Sequence, residues 1–312
     1  MTAVDRNQPK RAKASDSRMS LMEFMQEFPD DATCLEYLWR ERYSPDGETA
    51  VCPKCEIDRV FKKYPMANRR TSWTCTGCGH HLHPTAGTIY HKSPTSLHLW
   101  FYAMYLMAST RCGISAKQLE REIGVTYKTA WRMFNIIRND LMNQGNEPLL
   151  GDVEADETFI GRKPRKDDKR SKGAKGSDKA IVLGMVERGG KARAMVIPFS
   201  GGGDIRPRVL DNVKAGSTLY SDGYHVYRTM AGTFDHYWVD HAADEYVRGV
   251  VHTQTIEGFW SNMKRGLDGV YHSVSRKWLQ SYVDEYCFHY NHRTELRGPD
   301  PFRVLLARAV AP

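Results

Sequence analysis

HTQTIEGFWSNMKRG, residues 252–266, carries two patterns at once. Ile256, Phe259, Trp260, Met263 and, just beyond, Leu267 recur at helical spacing and predict a buried stripe. Glu257, Ser261 and Lys264 fall at i, i+4 and i+7, on the opposite side, so a carboxylate and an ammonium project together. Gly258 beside Glu257 is a poor helix former, costing about 1 kcal/mol against Ala, and implies a close approach to the backbone there. A solvated Glu/Lys face looks the same, so the stretch gains meaning only from its surroundings.

Working upstream, two more acids stand out. Asp156 lies in VEADETFIG (153–161) and Asp222 in TLYSDGYHVY (218–227). Both close or interrupt apolar, strand-like runs. Three acids from three separate segments are what a fold needs to gather carboxylates around divalent cations, since Mg²⁺ takes hard oxygen ligands and usually only one or two carboxylates per ion. With 37 acidic residues the spacing alone is unspecific. Alternation puts Glu154 on the face of Asp156 and Glu157 on the other, so Glu154 competes for the first ligand position.

The flanking pattern predicts strands at 153–160, 180–187 and 192–199, the last two as a hairpin around Gly189-Gly190. A short helix at 205–213, strands at 218–221 and 237–239, a polar loop, the Glu257 helix and a last helix at 278–290 follow. This order fits a mixed α/β domain over 150–300. Residues 162–179 hold nine Lys/Arg and three Asp with no large apolar residue. That composition predicts a basic loop, with Lys163, Arg165 and Lys166 among its phosphate-contacting groups.

The first half reads differently. Residues 1–18 carry five Lys/Arg and predict a disordered basic tail; 19–47 predict a short helical segment of two helices with a break at Pro29-Asp30-Asp31. Cys52-Pro-Lys-Cys55, nineteen residues, then Cys75-Thr-Gly-Cys78 has the spacing of a four-cysteine zinc ribbon within 48–92. Four thiolates close the coordination shell, so Zn²⁺ there is structural rather than catalytic. His80, His81 and His83 crowd the second pair as substitute ligands or solvated groups. Residues 94–145 predict a helical unit in which Gly124-Val125-Thr126 separates two helices, a helix-turn-helix signature. The second helix would bring Thr126, Tyr127, Lys128, Thr129 and Arg132 to DNA.

HTQTIEGFWSNMKRG, the following YHSVS and WLQSYVDEYCFHYNHR, and the upstream VEADETFIG together resemble the DDE-type transposases of bacterial insertion sequences. The similarity is closest to the Merlin-related group, with a zinc ribbon ahead of an integrase-type catalytic domain, and covers roughly residues 20–300. It implies an RNase H-like domain in which Asp156, Asp222 and Glu257 hold catalytic Mg²⁺ (or Mn²⁺), with Lys264 as the basic residue beyond the Glu. Gln254 stands where members often carry Asn, which keeps Gln254 and His252 as alternative third ligands. The implied reaction is end cleavage by water, then attack of the freed 3′-hydroxyl on target DNA. Terminal inverted repeats and target DNA are the implied partners, with a homo-oligomer assembled on them.

Other readings stay open. A DNA-binding regulator with an inactive DDE domain needs only the ribbon and the helix-turn-helix; a metal-dependent nuclease would cut without joining. A serine or tyrosine recombinase is disfavoured because the motifs centre on acids, although Tyr224 and Tyr227 stay open as nucleophiles. The net charge of +8 favours a polyanionic partner. Seven cysteines, four of them in two Cys-x-x-Cys pairs, exclude a disulfide framework and point to a reducing compartment. No signal-peptide core or membrane span is read, so a cytoplasmic, nucleoid-associated protein is expected.

Overall fold

The computed structural model describes residues 18–66, 69–161, 179–240, 243–293, 296 and 298–310; the expected basic tail up to residue 17 and the basic loop through 178, with Lys163, Arg165 and Lys166, lie outside the described residues. The chain divides into two compact units. One takes the described residues of 1–109, 116–137 and 299–312; the other takes those of 110–115 and 138–298.

In the first unit, α1 (Leu21–Glu27) starts at Ser20, whose hydroxyl accepts from Glu23 N while the Glu23 carboxylate takes the Ser20 N–H, a reciprocal cap. Asp30 caps α2 (Asp31–Arg42) through Thr33 N at 2.8 Å, the start signalled by the Pro-Asp-Asp break. A four-stranded antiparallel sheet follows in order β1 (Thr49–Val51), β2 (Asp58–Met66), β3 (Arg69–Cys75), β4 (His81–Leu82). Trp73 on β3 stacks on Trp39 of α2, ring centres 4.8 Å apart, so the small sheet borrows its core from a helix. The apolar α3 (Leu97–Ser109) is followed by α4 (Ala116–Ile123), the turn at Gly124 with φ +66°, and α5 (Tyr127–Ile136) capped by Thr126. A C-terminal helix, Pro301–Val310, was not read from the sequence; its Phe302 ring lies against Phe24 and Phe28.

The second unit is built on a five-stranded sheet in order β7-β6-β5-β8-β9, with ranges Asp152–Ile160 (β5), Ala180–Glu187 (β6), Ala192–Ile197 (β7), Thr218–Asp222 (β8) and Asp235–Val239 (β9). β5, β6 and β7 are antiparallel, whereas β8 and β9 run parallel to β5. Val153, Ala155 and Leu219 point to one face, where Ile205 and Val209 of α6 (Gly202–Asn212) and Val226 of α7 (His225–Arg228) complete a core. α8 (Gln254–Gly266) and α9 (Leu279–Asn291) follow. The expected polar loop before α8 instead contains a two-strand hairpin, β10 (Val247–Arg248) with β11 (Val251–His252).

The outer edge of β7 is closed by side-chain amides rather than another strand. Asn291 exchanges two hydrogen bonds with Ala192, Gln144 exchanges two with Ala194, and Gln280 accepts from Val196 N at 2.7 Å. Each supplies the donor and acceptor a neighbouring strand would have offered, which protects an otherwise sticky edge. No helix among the described residues is long and apolar enough to cross a membrane.

Candidate active site

β5 and β8 are parallel neighbours whose last paired couple is Glu154 opposite Tyr220. Asp156 and Asp222 each lie two residues further on, so the two carboxylates stand side by side on one face where β8 ends. A tight turn follows, in which Asp222 Oδ1 accepts from Tyr224 N at 3.0 Å.

α8 lies over that face. Its stripe of Ile256, Phe259, Trp260, Met263 and the adjoining Leu267 is buried, while Glu257, Ser261 and Lys264 are exposed. Trp260 Nε1 donates to Asp156 Oδ2 at 3.0 Å and so ties the helix to the strand. The residue paired with Asp156 across β6 is Gly184, and a Cβ there would sit 2.5 Å from the Trp260 ring. The close approach expected at Gly258 is therefore found at Gly184: beyond its own stretch of helix, no described atom lies within 4 Å of where a Gly258 Cβ would be. Glu257, one turn before Trp260, accepts at Oε1 from Thr253 Oγ1 at 3.0 Å. Lys264 lies about two turns beyond Glu257 on the same exposed face.

Asp156 is within electrostatic reach of both other acids. Burial pushes the Asp156 carboxyl up to about 6; the Trp260 hydrogen bond opposes this, and the charges of Asp222 and Glu257 add to it. Burial likewise pushes Glu157 up to about 7 against a hydrogen bond from Tyr227, with Asp156 and Asp222 adding. At Asp156, a buried carboxylate whose proton affinity is raised beside other carboxylates is the environment a divalent cation relieves. Asp156, Asp222 and Glu257 thus fit such a cation in donor type.

The competing acids have other partners. Glu154 is fully buried and accepts from Arg188 Nε, Thr255 Oγ1 and Ile256 N, all at 2.8–2.9 Å. Glu157 faces the other side, where Tyr227 Oη donates to it at 2.6 Å. His252 turns its Nδ1 toward Glu154, 3.4 Å away, and Gln254 is exposed. Tyr227 is buried and donates to Glu157, and Tyr224 donates to Ser200 O, so neither hydroxyl is presented as a nucleophile. Nothing in the local sequence signalled the part of Arg188, and Trp260 had read only as core.

In the first unit, Cys52, Cys55, Cys75 and Cys78 bring their sulfurs within 4.8 Å of one another. The Cys52–Cys78 and Cys55–Cys75 distances are 3.6 and 4.0 Å. These bracket the edge of about 3.8 Å that a tetrahedron with Zn–S bonds of about 2.3 Å requires. Positive φ at Glu56 and Gly79, the residue after each second cysteine, folds the two knuckles inward. Hydrogen bonding to Cys78 and burial push the Cys55 thiol up to about 12, whereas at Cys52 the N–H groups of Cys55 and Lys54 outweigh burial and hold it at about 7. His81 instead engages Ser72 and Thr74 through Nδ1.

At the start of α5, Thr126, Tyr127 and Lys128 are exposed. Thr126 caps the helix through Thr129 N at 3.4 Å, so those two also hold the turn. The Arg132 guanidinium donates to Ser93 Oγ at 3.2 Å and lies over the Trp100 ring.

Residues 148–291 match the profile of the ISXO2-like transposase domain. The chain is also 30% identical over 249 residues to an uncharacterized protein in transposable element ISH50 of Halobacterium salinarum, a match spanning 74% of this chain and 82% of that protein.

Proposed function

Given that the chain belongs to the DDE transposases of insertion sequences, we propose that it cuts DNA at the ends of such an element and joins the freed ends to target DNA. What supports this reading is that Asp156 and Asp222 lie on one face of two neighbouring parallel strands, and that the charge of Glu257, on the helix over that face, reaches Asp156. The strand order, three antiparallel then two parallel, supports an RNase H-like reading of the domain.

Asp156 and Asp222 are the residues that would hold a first Mg²⁺ or Mn²⁺, and Glu257 completes the set for a second. Such a pair supplies activation of an attacking hydroxyl and stabilisation of the leaving oxygen in a phosphodiester displacement. Trp260 orients the Asp156 carboxylate by holding one oxygen, and the Asp222 turn does the same for its partner. Lys264, exposed along α8 from Glu257, is placed to pair with a phosphate of the transferred strand. One acid cluster can serve both steps because each is an in-line displacement at phosphorus.

The four cysteines hold Zn²⁺ as a structural staple, and the exposed start of α5, with Thr126, Tyr127 and Lys128, enters a DNA groove. Lys163, Arg165 and Lys166 add sequence-independent affinity by releasing counterions. The protein works as a homo-oligomer on the paired ends.

The test uses labelled element-end DNA with Mg²⁺ or Mn²⁺. The wild-type chain should nick the end and, given target DNA, join it. Asp156→Asn and Asp222→Asn should bind the ends and do neither. Binding without cleavage by the wild-type chain under all metal conditions would leave a DNA-binding regulator. Cleavage without joining would leave a nuclease.

A further inference from the structure

Glu154 is a fully buried carboxylate on the same strand and face as Asp156, yet it is directed away from the acid cluster. Its Oε2 accepts from Ile256 N at 2.9 Å and its Oε1 from Thr255 Oγ1 at 2.9 Å. Thr253, the residue before α8, makes no side-chain cap of its own helix. Glu154 therefore caps α8 from another element, placing a negative charge at the helix N-terminus where amides and dipole favour it. Arg188, at the end of β6, completes the arrangement. Its Nε donates to Glu154 at 2.8 Å, and its two terminal nitrogens donate to Val250 O and His252 O, both at 2.8 Å. Its guanidinium also lies 3.8 Å from the Tyr220 ring centre. One planar fork thus binds β5, β6, β8 and the chain that leads into α8.

Resting on the transposase reading above, the geometry assigns Glu154 and Arg188 as positioning residues for Glu257, the only acid of the three that comes from a helix. Glu257 follows Ile256 directly, so the hydrogen bond that fixes the Ile256 amide fixes the height and rotation of the Glu257 carboxylate over Asp156 and Asp222. Trp260 pins the same helix one turn later. The two contacts hold α8 in rotation as well as in height. Glu154 is engaged elsewhere: it accepts from Arg188 Nε, Thr255 Oγ1 and Ile256 N, three of its roughly four acceptor sites.

The experiment is Mn²⁺ binding to the full-length protein, followed by electron paramagnetic resonance, alongside the Mn²⁺ midpoint of end cleavage. Partners behind metal ligands typically change metal affinity about 10–100-fold when removed. Thr255→Val, which deletes one bond to Glu154 and leaves the buried pair intact, should weaken Mn²⁺ binding and raise the cleavage midpoint, with cleavage recovered at high Mn²⁺; Thr255→Ser should behave as wild type. Glu154→Gln together with Arg188→Gln removes both charges at once, which avoids an unpaired buried ion, and should shift both readouts further, by about tenfold or more. Unchanged Mn²⁺ affinity in the double variant with its fold intact by circular dichroism would overturn the assignment. So would complete loss of cleavage at every Mn²⁺ concentration in a folded Glu154→Gln protein, which would make Glu154 a ligand. If the double variant does not fold, Thr255→Val against Thr255→Ser decides: equal Mn²⁺ midpoints overturn the assignment. Asp156→Asn run in parallel separates the two claims, because retained cleavage there refutes the transposase mechanism and not the positioning.

Discussion

Gly184→Ala tests how the acid cluster is assembled without touching any acid. A Cβ at 184 would lie 2.5 Å from Trp260 Cζ2 and Cη2, with Ile256 Cδ1 next at 3.3 Å. The indole is buried against the strand and has no room to absorb the overlap in place. To reach ordinary contact it must retreat by about 1 Å, which takes its Nε1 beyond hydrogen-bonding range of Asp156. Overpacking of this kind costs about 1–3 kcal/mol. Losing a hydrogen bond to a carboxylate adds about 1.5–3 kcal/mol. The substitution should therefore destabilise the β5–β6–α8 region by about 2.5–6 kcal/mol.

A double-mutant cycle sharpens the test. Trp260→Phe alone loses the hydrogen bond and leaves a void, but it also deletes the ring atoms that the added methyl would strike. Gly184→Ala should then cost little in the Trp260→Phe background, so the coupling between the two sites should approach the full cost of Gly184→Ala, about 2.5–6 kcal/mol. The assay is hydrogen exchange of the β5, β6 and α8 amides as a function of urea, which reads this region separately from the rest of the chain. Additive effects, or Gly184→Ala within about 0.5 kcal/mol of wild type, would show that the indole is not seated on Gly184 and that Asp156 is not held as described.

Glu257→Gln should abolish end cutting and joining together while preserving end binding, as measured on labelled ends; near-native cleavage in Glu257→Gln with loss in His252 or Gln254 variants would move the third ligand. Cys75→Ser should release zinc, read by elemental analysis, and weaken DNA binding while the residues of the five-stranded sheet keep their exchange protection. Burial raises the Asp284 carboxyl above its ordinary 3.8; the folded state therefore holds that proton more tightly, a contribution present below about pH 3.8 and lost as pH rises through the raised value. Asp284→Asn keeps the Oδ1 acceptor for Gln144 and Gln280, so its melting midpoint should exceed wild type at pH 7 and converge with it near pH 3. Neutralising several of the nine Lys/Arg in 162–179 should lower affinity for all DNA sequences alike and flatten the slope of log affinity against log salt; an unchanged slope would make the segment a solvated one.

What the sequence made legible is what is written locally. The period of Ile256, Phe259, Trp260 and Met263 sufficed to place α8 and to put Glu257 and Lys264 on its exposed side. Apolar, β-rich runs sufficed for β5, β6 and β7, and paired cysteines for the knuckles. Two-residue strands such as β10 and β11 are too short to carry a period, so they read as loop. The helix Pro301–Val310 lies past the last motif, and its partners, Phe24 and Phe28, are more than 270 residues earlier. A glycine's reason is equally invisible from its neighbours: Gly258 looked anomalous in a helix and faces open space, while Gly184, within an apolar strand, takes the close contact.

The choice between Glu154 and Asp156 shows why the rest needed three dimensions. Two residues apart on one strand, they share a face and a chemistry, and no local rule separates them. Their environments do. Glu154 meets a cation and a helix amide, so its charge is compensated within the protein. Asp156, Asp222 and Glu257 receive neutral hydrogen bonds, from Trp260 Nε1, Tyr224 N and Thr253 Oγ1 respectively. One neutral donor orients a carboxylate without cancelling its charge. Asp156 is in electrostatic reach of both Asp222 and Glu257, and on the function proposed above the partner that completes the set would bring positive charge in a form that accepts several oxygens at once. A divalent cation does that and a single Lys264 ammonium, exposed about two turns along α8, does not.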